Sequence, residues 1–422
     1  MGSVRKRQLA ALAFVAVFGF ILFLLGKTER TELYGTQGRS FEKARVLEIL
    51  EDNEQESGQY VGQQKVLLVL DSGSRKGKTV EAVSSSSYLY GAHCKPGMRV
   101  IAAVNESGEE LYVTVYSQDR SLVLYGIVAL FLISVWAIGG RQGLNSAIGL
   151  IFTFLCIIFM FIPMIYRGAS PIGASMLVAA LTTVVTMYLI GGRSTKTAAA
   201  ILATILGVML SGSLAAAFGR LAGISGYNVS DIEQLEYVAQ MTDIKVGELL
   251  YAGILISALG AIMDVAMSVS SAVHEVAARA PELGFKELFR SGIHVGRDMM
   301  GTMSNTLILA FTGTSINTLI FIYAYGYSLN QTINMYSIGI EIIQGISATL
   351  GVIFTVPVAA YINALLLKKR KNPFFSSSSA SNFFSSPIIS VSKAPTSPRS
   401  LVRTFESASS EKSATFFCTE TP

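Results

Sequence analysis

The chain has 422 residues, of which 51% are hydrophobic and only 14% are charged, and its net charge is +5. A soluble domain carries roughly a quarter charged residues, so this composition excludes an ordinary soluble protein. Several runs reach the roughly 20 apolar residues that a helix needs to cross a bilayer. The sequence therefore predicts a polytopic α-helical membrane protein.

The pattern of special residues argues against several other classes. Cys94, Cys156 and Cys418 show no paired spacing of the kind that a disulfide framework or a zinc site requires. Basic residues form short clusters between apolar runs, which is typical of topology signals and not of a nucleic-acid surface. The chain has no P-loop, no G-x-S-x-G and no G-x-G-x-x-G. We therefore predict no metal, no cofactor, no nucleic-acid partner and no enzymatic activity.

Apolar runs predict eight membrane segments. Arg5, Lys6 and Arg7 precede the first segment, and no small-residue cleavage site follows it before Lys27, so residues 1–26 are predicted to be an uncleaved anchor and not a signal peptide. The segments lie at about 8–26, 121–138, 144–165, 170–190, 197–218, 247–272, 299–324 and 335–367.

Residues 27–120 separate the first two membrane segments and are predicted to form a small extracytoplasmic β-rich domain. Turn-rich stretches divide five short apolar runs, which suggests a small barrel, with an OB-like barrel as one form. The runs are 44–50, 65–70, 79–83, 99–104 and 111–116. We expect a structural cap or a domain that docks a protein partner. Basic and aromatic residues do not interleave, so a nucleic-acid site is not predicted.

Residues 121–367 are predicted to form a seven-helix membrane domain. Lys and Arg in its short loops concentrate on one side, for example at Arg141, Arg193 and Lys368. Because cytoplasmic loops carry the excess of positive charge, both termini are predicted to be cytoplasmic. Gly139-Gly140-Arg141, Gly191-Gly192-Arg193 and Gly296-Arg297 recur after pairs of segments. They indicate either a duplicated hairpin or the ordinary choice of residues at inner turns.

Two amphipathic helices are predicted in the loops. Outside, Ser230 and Glu233 have the spacing of a capping box. Inside, Pro281 would start a helix that lies along the membrane surface. After the basic cluster that begins at Lys368, residues 372–422 are rich in Ser, Pro and Phe. Residues 368–422 are therefore interpreted as a basic stop followed by a disordered low-complexity tail, or as the product of a shifted reading frame.

Polar residues inside the sixth predicted segment mark the first candidate site. They recur at steps of three or four and therefore share one helix face. Asp264 lies at the middle of this stripe, which consists of Ser257, Gly260, Asp264, Ser268, Ser271 and Glu275. An ionisable side chain at membrane depth is costly and usually faces a pathway. The alternative is a buried carboxylate that only holds helices together.

The last two segments carry further candidates. Asp298, Thr302, Asn305 and Thr312, joined by Gly301, form a second stripe. Arg297 is either an orientation anchor or an ion-pair partner of Asp264 or Glu275. Glu341 is a further buried-carboxylate candidate, with Gln344 on the same face. Its segment is longer than a membrane crossing needs, so the alternative is that its first turns project outside the membrane. His274 and His294 are predicted to be boundary residues and not metal ligands, because the sequence His274-Glu275 lacks the second histidine of a zinc motif.

Two motifs resemble the signature of the YibE/F-like family of bacterial multi-pass membrane proteins. They are Gly260-Ala261-Ile262-Met263-Asp264-Val265-Ala266-Met267-Ser268 and Gly296-Arg297-Asp298-Met299-Met300-Gly301-Thr302-Met303-Ser304-Asn305-Thr306-Leu307. The resemblance covers roughly residues 40–367, including the strand-rich domain. It implies a permease-like protein of the bacterial cytoplasmic membrane whose substrate is not established. It assigns Asp264, Arg297, Asp298 and Asn305 to the signature.

The predicted function is that of a permease or secondary transporter for a small solute or an ion. Asp264 would bind a coupling proton or cation, and Arg297 and Asp298 would form an inner gate. The alternative is a non-transporting membrane scaffold whose extracytoplasmic domain recruits a protein partner. Expected partners are the lipid bilayer, the transported solute or ion, and either an extracytoplasmic protein or a second copy of the chain.

Overall fold

A computed structural model describes residues 17–20, 38–54, 62–85, 91–107 and 110–371. The predicted tail 372–422 lies outside the described residues. Most of the predicted anchor 8–26 does so as well, and only a helical turn at residues 17–20 is described. Phe18 in this turn packs on Phe152, with 5.4 Å between the ring centroids.

The strand-rich domain is a closed five-strand barrel, which confirms the prediction of a small β domain. Adjacent strands pair in the order β1-β2-β3-β5-β4, and the barrel closes through β1 and β4. All pairs are antiparallel except β3 with β5. The strands are β1 (Arg39–Glu51), β2 (Gln64–Leu70), β3 (Thr79–Ser84), β4 (Arg99–Ser107) and β5 (Glu110–Gln118).

Alternation of buried and exposed residues explains the barrel core. In β2, Val66, Leu68 and Leu70 are fully buried while their neighbours point outward. Gln64 is the polar member of this inward set, and it binds the backbone of Cys94. Its amide Nε2 donates to the Cys94 carbonyl over 3.2 Å, and the Cys94 N–H donates to its Oε1 over 2.8 Å. Gln64 therefore attaches the loop before β4 to the barrel.

Asp119 joins the barrel to the first helix of the membrane domain. Its backbone N–H donates to the Arg99 carbonyl over 3.0 Å, and its carboxylate lies 3.9 Å from Lys43 Nζ. The same carboxylate accepts from the Ser121 hydroxyl at 2.5 Å and from the Ser121 N–H at 3.0 Å. The end of β5 is therefore bonded both to the barrel and to the start of a helix.

Five helices of the described chain are long and apolar enough to cross a membrane, or six if α6 and α7 together form one bent span. The count of eight spans remains a prediction. The helices are α1 (Ser121–Tyr166), α2 (Pro171–Gly191), α3 (Thr195–Ala222), α4 (Ile232–Gln240), α5 (Val246–Arg279), α6 (Phe285–Thr314), α7 (Ile316–Ala324), α8 (Leu329–Ile333) and α9 (Tyr336–Lys371).

A sharp turn at Gly140 divides α1 into two arms. Gly140 has a φ of 52° and a ψ of −124°, a conformation that glycine adopts at no steric cost. The arms pack so closely that a Cβ on Gly143 would overlap the Val135 carbonyl. They correspond to the predicted segments 121–138 and 144–165. The second arm contains a π-turn at Ile157–Phe161, ahead of Pro163.

Small residues set the packing of the bundle. A Cβ on Gly212 or Gly219 of α3 would overlap Leu255 or Tyr251 of α5, respectively. A Cβ on Gly207 would overlap Thr355 of α9. Close approach at glycines is the usual basis of helix association in membranes. Helices α3, α5 and α9 therefore form the centre of the domain, and α2 and α6 pack around them.

The structure corrects two boundaries. The predicted inner amphipathic helix from Pro281 and the first part of the predicted span 299–324 form one continuous helix, α6. It begins where the Gly284 N–H donates to Glu287 Oε2 over 2.6 Å. This helix ends at Thr314, and α7 leaves it at an angle of 61°. Gly296 lies inside α6 against Val356, so the third glycine–arginine pair is not a turn.

The predicted outer amphipathic helix is present as α4, but its predicted capping box is absent. Asp231 precedes α4 and forms no capping hydrogen bond with its side chain. A capping box forms earlier, at the short turn Gly226–Asn228. There the Ser225 N–H donates to Asn228 Oδ1 over 2.8 Å. The capping box therefore lies at the short turn that precedes α4, and its residues are Ser225 and Asn228 instead of the predicted Ser230 and Glu233.

Candidate functional site

Asp264 lies close to the middle of the 34-residue helix α5, on a face that the protein leaves exposed. Its carboxylate makes no hydrogen bond or ion pair with another described residue. The carboxylate therefore does not hold the bundle together by a bond within this part of the chain.

The predicted stripe around Asp264 forms a single surface. Ser257, Gly260 and Glu275 are exposed with Asp264, while Ser268 and Ser271 are half-buried. Nothing lies within 4 Å of a Cβ placed on Gly260, so this face meets open space at that point. The opposite face of α5 is buried against α3 and α9 through residues such as Leu255 and Ile262. The 3.6-residue period therefore divides α5 into a packed apolar face and an open polar face.

The second stripe is also an open surface. Asp298, Gly301, Thr302, Asn305 and Thr312 are all exposed on α6. The Thr302 hydroxyl donates to the Met299 carbonyl over 3.1 Å, and the Thr312 hydroxyl donates to the Ile308 carbonyl over 2.8 Å. In the described part of the chain, no hydrogen bond or ion pair joins this stripe to the stripe on α5.

Arg297 does not form the ion pair that was one of its two predicted roles. Glu275 pairs with Arg279, one helical turn further along α5, with 2.8 Å between Oε1 and the guanidinium. Both side chains are largely exposed, so this pair contributes little to stability. Arg297 is exposed at the position where α6 becomes apolar, which agrees with its other predicted role as an orientation anchor.

Glu341 occupies a different environment from Asp264. It lies in the second turn of α9 and is half-buried. Its Oε2 atom is buried and has no hydrogen-bond partner among the described residues. The side chain lines a cavity of about 280 Å³ between α6, α7 and α9, whose other walls are mostly apolar. Glu341 is therefore a predicted site residue that lines a cavity, and this cavity is partly open, since Ile308 and Ile342 in its wall are exposed.

The sequence interpretation missed the neutral polar groups that connect the helices. The Asn363 amide donates to the Ser270 hydroxyl over 2.8 Å, and both side chains are fully buried. The Ser211 hydroxyl donates to the Ser347 carbonyl over 3.0 Å. Asn363, an amide within an apolar segment, was the available sequence signal.

His274 connects two helix ends. Its Nε2 lies 2.9 Å from the Thr195 hydroxyl at the start of α3. No group of three or more His, Cys, Asp or Glu side chains that could hold a metal ion occurs among the described residues.

The helical domain matches a known family. The model of the YibE/F-like protein family matches residues 127–369, more than half of the chain, and both motifs that carry Asp264 and Asn305 lie inside the match. The chain belongs to the YibE/F-like family. The YibE/F-like region begins after the barrel, so the expectation that the resemblance includes the strand-rich domain is not supported. No curated protein and no solved structure matches the chain.

Proposed function

We propose that this YibE/F-like protein is a permease of the bacterial cytoplasmic membrane. It would move a small solute or an ion in exchange for a proton or cation that binds Asp264. The observation that carries the proposal is the exposed carboxylate at the middle of an apolar helix. A charged side chain costs at least a few kcal/mol when it faces lipid. Water, an ion or protein must therefore meet this face of α5.

The chemistry of the two stripes supports a pathway. Ser257, Thr302 and Asn305 offer hydroxyl and amide groups on exposed helix faces. Such neutral groups bind a hydrated ion or a polar solute weakly, as passage requires. Arg297 and Asp298 lie towards the cytoplasmic end of the second stripe in the predicted orientation, where they would form the inner gate. The proposal includes eight membrane spans and two cytoplasmic termini.

The stripes lie on the outside of the bundle, so the proposed pathway needs a second wall. A second copy of the chain would provide this wall through the same open face of α5. Symmetric association places identical surfaces opposite each other and would exclude lipid from both Asp264 side chains. The proposed permease is therefore a homo-oligomer.

Thiol accessibility tests whether the stripes meet water. In a background with the native cysteines replaced by alanine, we expect a membrane-impermeant thiol reagent to modify the Ser257→Cys and Asn305→Cys variants. Leu206→Cys is the matched control, because Leu206 is an exposed apolar residue of α3. Equal protection of all three variants would contradict an aqueous pathway.

Asp264→Asn tests the coupling role. We expect the variant to reach the membrane in normal amounts, because Asp264 makes no bond within the described protein. We expect it to lose the solute or ion fluxes that distinguish the wild-type strain from a deletion strain. Unchanged fluxes in a strain with normal amounts of the variant would exclude coupling through Asp264.

A scaffold is the second candidate, and an aromatic surface on the five-strand barrel favours it. Phe41 packs edge-to-face on Tyr116 with 5.1 Å between ring centroids, and the Arg39 guanidinium lies 5.3 Å from the Phe41 ring. Phe41, Tyr112 and Tyr116 are each more than half exposed. Aromatic and arginine side chains are enriched in protein interfaces. If the protein is a scaffold, Phe41→Ala should abolish capture of an extracytoplasmic partner and cause the deletion phenotype. If the protein is a permease, the Phe41→Ala variant should keep the solute or ion flux of the wild type.

A further inference from the structure

The bend between α6 and α7 creates a cavity beside the start of α9. After Ser315 the chain turns by 61°, and α7 moves away from the axis of α6. The space of about 280 Å³ that this leaves is walled by Ile308, Phe311, Leu319, Ile338 and Ile342. It lies at the end of the bundle where α9 begins. In the predicted topology of alternating spans, this is the side of the membrane on which the β-barrel lies.

Glu341 is the one ionisable side chain among the residues that line this cavity. Its buried Oε2 has no hydrogen-bond partner in the described chain. The neighbouring Thr312 hydroxyl cannot satisfy it, because that proton is donated to the Ile308 carbonyl over 2.8 Å. A carboxylate oxygen that leaves water without a partner is costly. The residues that line the cavity include no Lys, Arg or His, so none of them supplies the positive charge that would stabilise the Glu341 carboxylate.

The walls of the cavity decide which kind of cation fits. An inorganic cation needs several oxygen ligands to replace its water shell, and Ca²⁺ takes six to eight. This cavity offers one carboxylate and two hydroxyls, those of Thr312 and Ser315, within mostly apolar walls. An organic cation has a diffuse charge and an apolar body that the walls can bury. Phe311 adds an aromatic ring, to which a quaternary ammonium group is attracted.

We propose that the cavity at Glu341 is a binding site for a hydrophobic organic cation, such as a quaternary or protonated amine with an aromatic or aliphatic body. The carboxylate of Glu341 pairs with the positive nitrogen, and the isoleucine and phenylalanine side chains cover the body. This site goes beyond the proposed permease activity and requires no transport, because binding depends only on the cavity.

Equilibrium binding to the full-length protein in lipid nanodiscs tests the site. The probe is radiolabelled benzyltrimethylammonium, and we expect saturable binding to the wild type. Glu341→Gln keeps the side-chain shape and should weaken binding by about tenfold or more, because a buried charge loses its partner. Glu236→Gln, which removes an exposed carboxylate of α4, should leave binding unchanged.

A second variant separates the cavity from the charge. A Cβ on Gly345 would contact Phe311 at an ordinary 3.7 Å, so the longer side chain of Gly345→Leu would extend into the cavity. We expect this variant to remain folded, as judged by a single symmetric peak on size exclusion, and to lose the binding of benzyltrimethylammonium.

Two results would overturn the proposal. The first is the absence of saturable binding to folded wild-type protein. The second is an affinity for benzyltrimethylammonium that is the same in the wild type and in Glu341→Gln. If the uncharged analogue neopentylbenzene then competed equally well, the cavity would be an apolar site for lipid chains. None of these results depends on whether Asp264 couples transport, so this site and the proposed permease can fail separately.

Discussion

The side-chain amide of Asn363 donates to the hydroxyl of Ser270 over 2.8 Å in the interior of the bundle, where both residues are fully buried. Asp264, six residues before Ser270 on the same helix, is exposed. The interior of the bundle is therefore connected by neutral polar groups, while the carboxylate stripe of α5 faces outward. This division agrees with the high cost of an ionised group in an apolar interior.

Replacing Asn363 should weaken the bundle. Asn363→Ala removes the hydrogen bond to Ser270 and a second one to the Ala359 carbonyl, which is 2.7 Å long. Polar contacts between membrane helices contribute about 1 kcal/mol, so we expect a loss of about that size in the free energy of unfolding. Titration with a denaturing detergent measures it. Asn305→Ala is the control, because Asn305 is exposed and makes no hydrogen bond in the described chain. Equal losses of unfolding free energy in the two variants would contradict a stabilising role for the Asn363–Ser270 hydrogen bond.

Two glycines of α6 should respond in opposite ways to the same substitution. Gly296→Ala places a Cβ against Val356 of α9, whereas nothing lies within 4 Å of a Cβ on Gly301. Overpacking costs about 1–3 kcal/mol, so Gly296→Ala should lower the melting temperature of the purified protein. Alanine is a better helix former than glycine, so Gly301→Ala should leave the melting temperature unchanged or raise it. A lower melting temperature for Gly301→Ala alone would contradict the predicted packing.

Gln64 should control the exposure of Cys94. Burial raises the pKa of the Cys94 thiol to about 11, so a maleimide should modify it slowly at pH 7.5. Gln64→Ala leaves the buried N–H and carbonyl of Cys94 without partners, at a cost of about 1–3 kcal/mol. Each 1.4 kcal/mol corresponds to tenfold in the opening equilibrium, so labelling should accelerate about tenfold or more. Peptide mapping separates Cys94 from Cys156, whose labelling rate should not change.

The junction at Asp119 should be sensitive to acid. Hydrogen bonds from the Ser121 hydroxyl and N–H, with further help from Lys43 and Arg99, hold the pKa of Asp119 below its ordinary value. Because the folded-state pKa is lowered, these bonds stabilise the junction above the ordinary aspartate pKa of about 3.9. The stabilisation is lost as the pH falls through the folded-state value. The junction should therefore keep a constant stability near neutral pH.

Hydrogen exchange at the start of α1 measures this effect. Asp119→Ala should accelerate exchange of the Ser121 amide at pH 7. In the wild type the same change should occur only below about pH 4, after correction for the intrinsic rate. Asp231→Ala is the matched control, because Asp231 also precedes a helix but forms no capping hydrogen bond with its side chain. Exchange of the Ser121 amide that is unaffected by Asp119→Ala would exclude the proposed junction.

The sequence predicted strands and helices well where the apolar residues recur with a single period, two for a strand or 3.6 for a helix. Alternation of residues in runs such as 65–70 corresponds closely to β2, because each inward side chain is selected for burial. The boundaries around α6 were wrong for a physical reason. The Gly296-Arg297 pair predicts an inner turn, but Gly296 lies against Val356 of α9, and Gly292, one helical turn earlier, lies against Ala360. Only the neighbouring helix shows that their small size serves packing.

The sequence alone indicates that Ser257, Asp264 and Glu275 share one face of α5, since the 3.6-residue period of the α-helix places them together. It did not determine where that face points. The tertiary structure decided this, because α3 and α9 pack on the opposite face through Gly212 and Gly351 and leave the carboxylate outside. It also decided that Glu341 lines a cavity, since the bend after Ser315 separates α7 from the axis of α6. The 3.6-residue period is a property of a single helix, whereas an open face and a cavity depend on how several helices pack together.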